Sequence, residues 1–196
     1  GDTLGTRSPL SRHPLYPPGR RSDETALPAQ DGPLANDGAN LAWAIRDLRR
    51  RRPDASEQWI EHLRSALCDL RDITATVRGD CRHCIMRVEY ASDLTVPAWL
   101  VSDGTLRLLA LTLLAYYPWD EAGAFMIEEP ENGVHPGAIE TVLDSLRSMW
   151  DHQVLLATHS PALLWMATTG QVPCFARDVN GNTDIVAGED HPRLTA

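Results

Sequence analysis

Ala124-Phe125-Met126-Ile127 runs directly into Glu128-Glu129-Pro130-Glu131. A short apolar run that halts on carboxylates has the pattern of a buried parallel strand whose carboxyl end meets solvent. Pro136 then stands where a helix begins, and Ile139, Val142, Leu143, Leu146, Met149 and Trp150 keep a helical stripe for four turns. Val154-Leu155-Leu156-Ala157 repeats the strand pattern and stops at Thr158-His159-Ser160, after which Pro161 opens another helix. Strand, helix, strand, helix predicts an α/β fold with a doubly wound parallel sheet. Ligands bind such sheets beyond the carboxyl ends of the strands, where Glu128, Glu129 and His159 fall.

Upstream, Leu106 to Tyr117 is apolar nearly all round, which predicts a central helix packed on more than one side. Residues 38–98 read as a helical and short-strand subdomain. Leu41, Ala44, Ile45 and Leu48 share a stripe that Pro53 ends, and a second helix is capped by Ser56 with Ile60, Leu63, Leu67 and Leu70 on its buried face. Val77 to Tyr90, with Gly79 and Asp80 as turn residues, reads as one or two short antiparallel strands. Residues 1–37, with runs such as Pro14-Leu15-Tyr16-Pro17-Pro18-Gly19, read as a flexible Pro/Gly-rich arm.

At 196 residues the chain has room for one domain or one and a half, taking about 150 residues for each. No stretch reaches the roughly 18 consecutive apolar residues of a membrane span, and no charged-then-apolar leader opens it, so the expected setting is the cytoplasm with no membrane contact. All 18 basic residues are arginines, which excludes chemistry that needs a lysine ammonium in this sequence. The net charge of −9 is uneven: residues 1–90 carry 14 Arg against 13 acids, residues 91–196 only 4 against 14. Contact with nucleic-acid phosphates would therefore fall to Arg46, Arg49, Arg50, Arg51 and Arg52, a run that also reads as a solvated helix end. Cys81-x-x-Cys84 is half of a zinc pattern without a second half, and reads better as two small apolar residues near a hairpin turn.

Two adjacent carboxylates at a strand tip suit a magnesium nucleotide site, one holding the Mg²⁺ shell and the other orienting or deprotonating the attacking water. On a regular strand Glu128 and Glu129 would point to opposite faces and so do different work. Solvated acids at a strand end are the plain alternative. Ser102-Asp103-Gly104-Thr105 precedes the central helix, so a hydroxyl, a glycine backbone and free N–H groups converge where an anion is favoured, although Ser and Asp are also common caps. His159 is within a strand end's reach of a phosphate or is a hydrogen-bonded structural residue.

Taken in order, Ser102-Asp103-Gly104-Thr105-Leu106-Arg107, then Phe125-Met126-Ile127-Glu128-Glu129-Pro130-Glu131-Asn132-Gly133-Val134-His135-Pro136, then Ala157-Thr158-His159-Ser160-Pro161 resemble the signature, Walker B, D-loop and switch-histidine blocks of ABC-type AAA-family ATPases, the group containing RecF- and OLD-like proteins. Gly38-Ala39-Asn40-Leu41-Ala42 is similar to a segment preceding the signature in many of them. The resemblance implies a partial P-loop NTPase core over 99–196 and a head that dimerises around two molecules of ATP. By position, Ser102 and Gly104 would contact the γ-phosphate held by the partner, Glu128 would organise Mg²⁺, Glu129 would polarise the water and His159 would sense the γ-phosphate. Asn132, Gly133 and His135 would cross the dimer interface. Glu128 replaces the usual aspartate, and the GxxxxGK[ST] phosphate loop is missing. The expectations are therefore the carboxyl-terminal part of a longer ATPase, in keeping with Gly1 at the start, or a subunit completed by a Walker A-bearing partner. DNA association is implied by the family alone. The competing expectation is a degenerate ATPase fold that only docks or regulates a partner.

Overall fold

The computed structural model describes residues 32–79, 83–178 and 180–190. The proline-rich arm falls almost wholly outside these residues, as does Cys81. The chain divides into two compact units, residues 1–157 and 158–196.

In the first unit, α1 (Leu41–Arg51) and α2 (Pro53–Leu63) are separated by Arg52, whose extended backbone (φ −139°, ψ 74°) is what a following proline demands. Pro53 occupies the first turn of α2, where its missing N–H costs nothing. Ser56 is therefore not the cap that the sequence suggests; it lies inside the helix and is buried. The expected buried face also stops early. α2 ends at Leu63, Leu67 sits in a turn, and Leu70 opens strand β1 (Leu70–Val77). Strand β1 pairs antiparallel with β2 (Cys84–Tyr90), which pairs antiparallel with β3 (Thr95–Pro97). Ile73 and Val88 face each other across this sheet and are almost completely buried.

Helix α3 (Asp103–Tyr116) is the centre of the unit. Nine consecutive residues from Leu106 to Leu114 are buried, so it packs on all sides as its apolar sequence requires. Trp59, fully buried on α2, donates its indole N–H to Thr112 Oγ1 (2.9 Å) and ties α2 to α3. Strand β4 (Ala124–Glu128) and strand β5 (Gln153–Ala157) are parallel, in register from Ala124 with Gln153 to Glu128 with Ala157. Between them a 3-10 turn (Pro136–Ala138) leads into α4 (Ile139–Arg147). This is the expected α/β arrangement of parallel sheet and flanking helices. Met149 is buried, but Trp150 lies beyond the end of α4 and is 90% exposed, so it is not part of the core stripe.

The second unit contains α5 (Pro161–Met166) and a hairpin of β6 (Pro173–Arg177) with β7 (Thr183–Ala187). Asp178 closes the hairpin, its Oδ1 accepting from the backbone N–H groups of Asn180 and Asn182, both at 2.8 Å.

A charge cluster around the buried Asp47 joins α1 to the end of α3. Asp47 accepts from Tyr117 Oη (2.6 Å) and Arg50 (2.8 Å), and Arg51 bridges it to Asp120. Burial pushes the Asp47 carboxyl up, but the Tyr117 and Arg50 hydrogen bonds and the Arg51 charge outweigh it, leaving a net lowering. A lowered folded-state value means that the carboxylate adds stability above the ordinary carboxylate range, and that this is lost as pH falls through the lowered value. Melting temperatures followed from pH 7 to pH 2 should therefore fall more steeply in the parent chain than in Asp47→Asn. Parallel curves would show that Asp47 does not contribute to acid sensitivity.

Candidate functional site at the tip of strand β4

Glu128 is the last residue of β4 and is exposed on the same face as Met126. Glu129 leaves the strand with φ +46°, a left-handed conformation that costs a side-chain-bearing residue about 1–2 kcal/mol. Its N–H still donates to Ala157 O (2.7 Å), extending the parallel ladder by one bond. Its carbonyl accepts from Asn132 N (2.9 Å), which closes a turn. The simple alternation expected for the two glutamates thus does not apply. They differ because the chain turns at Glu129, leaving Glu128 exposed and Glu129 half-buried. Asn132 Nδ2 lies 3.4 Å from Glu129 Oε2, so the side chain of Asn132 faces the carboxylate as well as the turn.

The start of α3 belongs to the same place. Ser102 caps the helix, its Oγ accepting from Thr105 N (3.1 Å) and lying 2.9 Å from Thr105 Oγ1. The first helical backbone bond runs from Leu106 N to Ser102 O. The amides of Asp103 and Gly104 precede it, in the first turn where an anion is favoured. Gly104 itself packs against the carbonyl of Gly133. A Cβ added there would fall deep inside the contact distance of Gly133 O, so the glycine is required by the protein's own backbone. Gly133 in turn has φ +78°, which suits glycine. Signature-like and D-loop-like segments of one chain therefore touch directly, a contact that the order of motifs along the sequence does not reveal.

Arg107 completes the cluster. Only 5% exposed, it donates from Nη2 to Glu128 O (3.2 Å) and Glu129 O (2.6 Å). Burial pulls its guanidinium down from its ordinary value, and the charges of Glu131 and Glu129 partly offset this. Sequence reasoning assigned Arg107 no role. The available signal was a single arginine inside the otherwise apolar run Leu106 to Tyr117.

His135 is exposed and caps the 3-10 turn, its Nδ1 accepting from Gly137 N (3.1 Å). With Nδ1 accepting, the ring nitrogen left to donate is Nε2. Asn132 and Gly133 are exposed beside it. The structure thus brings Ser102, Gly104, Glu128, Glu129, Asn132 and Gly133 into the first unit together with Arg107, whereas His159, also exposed, belongs to the second unit and precedes α5.

Two other motifs are absorbed by the fold. Arg49 grips Asp72 with two hydrogen bonds and also reaches Ile73 O. Arg50 and Arg51 are held by Asp47 and Asp120, Arg52 by Asp54, and Arg46 lies over the Trp43 ring at 5.5 Å. These arginines already face carboxylates or an aromatic ring, which weakens the case for a phosphate-binding stripe. Cys84 is buried in β2, with Sγ 3.5 Å from Ala42 O and packed against Trp43. Among the described residues no three His, Cys, Asp or Glu side chains form a metal-holding group. Among them, too, no helix is long and apolar enough to cross a membrane.

Comparison with known proteins places the domain in a family. Residues 16–164 match the family described as AAA domain, putative AbiEii toxin, Type IV TA system. The chain belongs to this AAA-domain family. The fold also has relatives: 21 solved chains match. One is an SMC ATPase whose ATP-driven dimerisation and DNA-stimulated activation have been described, with 12% identity and a TM-score of 0.54 over 73% of this chain and 88% of that one. At that identity the likeness speaks for the fold alone. No curated protein matches the sequence.

Proposed function

We propose that this AAA domain, a relative of RecF- and OLD-like ATPases, supplies half of a composite ATP site that a phosphate loop elsewhere completes. The observation that carries this is Glu129, held at the β4 tip in a strained left-handed backbone beside the exposed Glu128. Strain of this kind is retained where a side chain must be aimed. Glu129 polarises the attacking water in an in-line displacement at the γ-phosphate of ATP. Glu128 suits a Mg²⁺ shell completed by phosphate oxygens and water, since Mg²⁺ needs only one or two carboxylates. Ser102 and the amides around Gly104 meet the γ-phosphate of a nucleotide held by the partner; for His159, on the second unit, a γ-phosphate-sensing role rests on the family resemblance alone. Asn132, Gly133 and His135 face the partner across the nucleotide. The dimerisation of the SMC ATPase supports a paired-head arrangement, with a second copy or a Walker A-bearing chain as partner. Association with DNA and a cytoplasmic setting are carried over only as part of this family reading.

A polypeptide bearing GxxxxGK[ST], combined with this chain, should hydrolyse Mg-ATP, and Glu129→Gln should lower the turnover by on the order of 10²-fold through loss of the base. Unchanged turnover would remove Glu129 from the mechanism. The lack of lysine in the sequence favours a second reading, a degenerate ATPase fold that docks or regulates a partner without hydrolysis. Calorimetric titration with Mg-ATP separates the two. Heat only when the phosphate-loop chain is present supports the composite site; no heat under either condition supports the docking module.

A further inference from the structure

We propose that Arg107 is the positioning residue that sets the Glu129 carboxylate, by clamping two successive carbonyls at the β4 tip from the second turn of α3. The inference rests on the reading of Glu129 as the water-polarising group.

Successive carbonyls along an extended strand point to opposite sides, so one donor nitrogen does not ordinarily reach both. Arg107 Nη2 reaches Glu128 O and Glu129 O together because the chain turns at Glu129. The clamp and the left-handed backbone are therefore one feature: the guanidinium rewards the conformation that φ +46° penalises. The arrangement is costly for packing alone. Arg107 is 5% exposed, and its Nε is buried with no hydrogen-bond partner among the described residues. An apolar side chain would fill the volume without that desolvation. What an apolar residue would not supply is a charged donor aimed at the backbone of the residue whose carboxylate must be placed.

The clamp also joins two ends of the site. Ser102 caps the helix that carries Arg107, only five residues away or about 7.5 Å along a rigid helix. Gly104, between them, rests on the Gly133 carbonyl. A phosphate engaging the Ser102 end therefore acts on the same rigid element that grips Glu128 and Glu129. Arg107 transmits its arrival to the carboxylate without touching the nucleotide.

Two readouts test this. The first needs no activity. In the full chain without nucleotide, Arg107→Met, which keeps the apolar stem and removes the donors, should speed hydrogen exchange in residues 128–134 by about tenfold, with β1 and β2 unaffected. The bonds from Asn132 N to Glu129 O and from Val134 N to Glu131 O report there. Arg107→Lys, which keeps the charge and reaches one carbonyl, should fall between the two, and it serves if Arg107→Met does not fold. The second readout is hydrolysis by the chain with its phosphate-loop partner. Arg107→Met should lower kcat about tenfold with KM within about twofold, since a misplaced group costs the chemical step more than binding. Unchanged exchange in 128–134, or a rise in KM with kcat intact, would overturn the proposal. Faster exchange in Arg107→Met together with full activity of Glu129→Gln would leave the clamp standing and sink the proposed function instead.

Discussion

Gly104→Ala should destabilise the first unit by about 3 kcal/mol, the upper range for forcing a methyl group into a packed contact. The added Cβ meets the backbone carbonyl of Gly133, which cannot swing away as a flexible side chain would. Either α3 shifts at its start or the 129–134 turn moves outward. Both movements strain the Arg107 bonds to the β4 tip. Urea denaturation would measure the loss, with Gly79→Ala as control, since an added Cβ at Gly79 meets nothing within 4 Å. The comparison separates two reasons for a glycine in a signature-like segment. If the glycine serves intrachain packing, Gly104→Ala unfolds at lower urea than Gly79→Ala. If it serves only the approach of a phosphate, the two variants have equal stability and Gly104→Ala loses nucleotide binding alone.

Trp59→Ala should cost about 4 kcal/mol, within the range measured when a large buried aromatic is truncated. The indole has no exposed surface and spans the contact between α2 and α3, and its N–H bond to Thr112 is lost with it. Thr112 Oγ1 still donates to Leu108 O (2.8 Å), so the hydroxyl is not stranded and the cavity dominates the loss. Trp150→Ala, at 90% exposure, should change stability by less than about 0.5 kcal/mol under the same conditions. Equal effects for the two tryptophans would mean that α2 is not part of the cooperative core around α3.

How much of this was legible beforehand depends on the range of the interaction involved. The existence and pairing of β4 and β5 read clearly because an apolar run bounded by polar residues is a local signal, but the expected burial does not hold: Met126 and Leu155 are 44% and 48% exposed. Helix α3 read clearly because burial on all sides leaves no polar stripe. Where a choice lay between neighbouring local signals, the reading slipped. Ser56 has the chemistry of a cap, but Pro53 can open a helix earlier and does so. Leu67 and Leu70 keep helical spacing, yet the chain leaves α2 after Leu63 to start β1. Ile60, Leu63 and Leu70 are buried as expected, Leu67 is only half-buried, and the geometry is not the single helical face that the spacing predicts. The hairpin of β6 and β7 was not read from the sequence at all.

Within the candidate site the chemical groups were visible and their relations were not. Glu128, Glu129, Ser102 and His135 could be picked out by residue type and order. The turn at Glu129 that separates two adjacent carboxylates could not, because nothing in Glu-Glu-Pro predicts a positive φ for a side-chain-bearing residue. The partners of the arginine run were equally hidden: Asp72 and Asp120 lie 23 and 69 residues from the arginines they bind. The role of Arg107 was hidden in the same way, since its carbonyl acceptors lie 21 and 22 residues downstream.

The amino-acid order alone settled the α/β class, the parallel pairing of two apolar strands of which one is acid-tipped, and the absence of a lysine, because hydrophobic periodicity and composition are properties of short windows of chain. Folding decided which groups meet. Gly104 against Gly133, and Arg107 over Glu128 and Glu129, arise only when a helix packs onto a strand end more than twenty residues away. Contact at that separation depends on packing and desolvation summed over the whole unit, which no local pattern encodes.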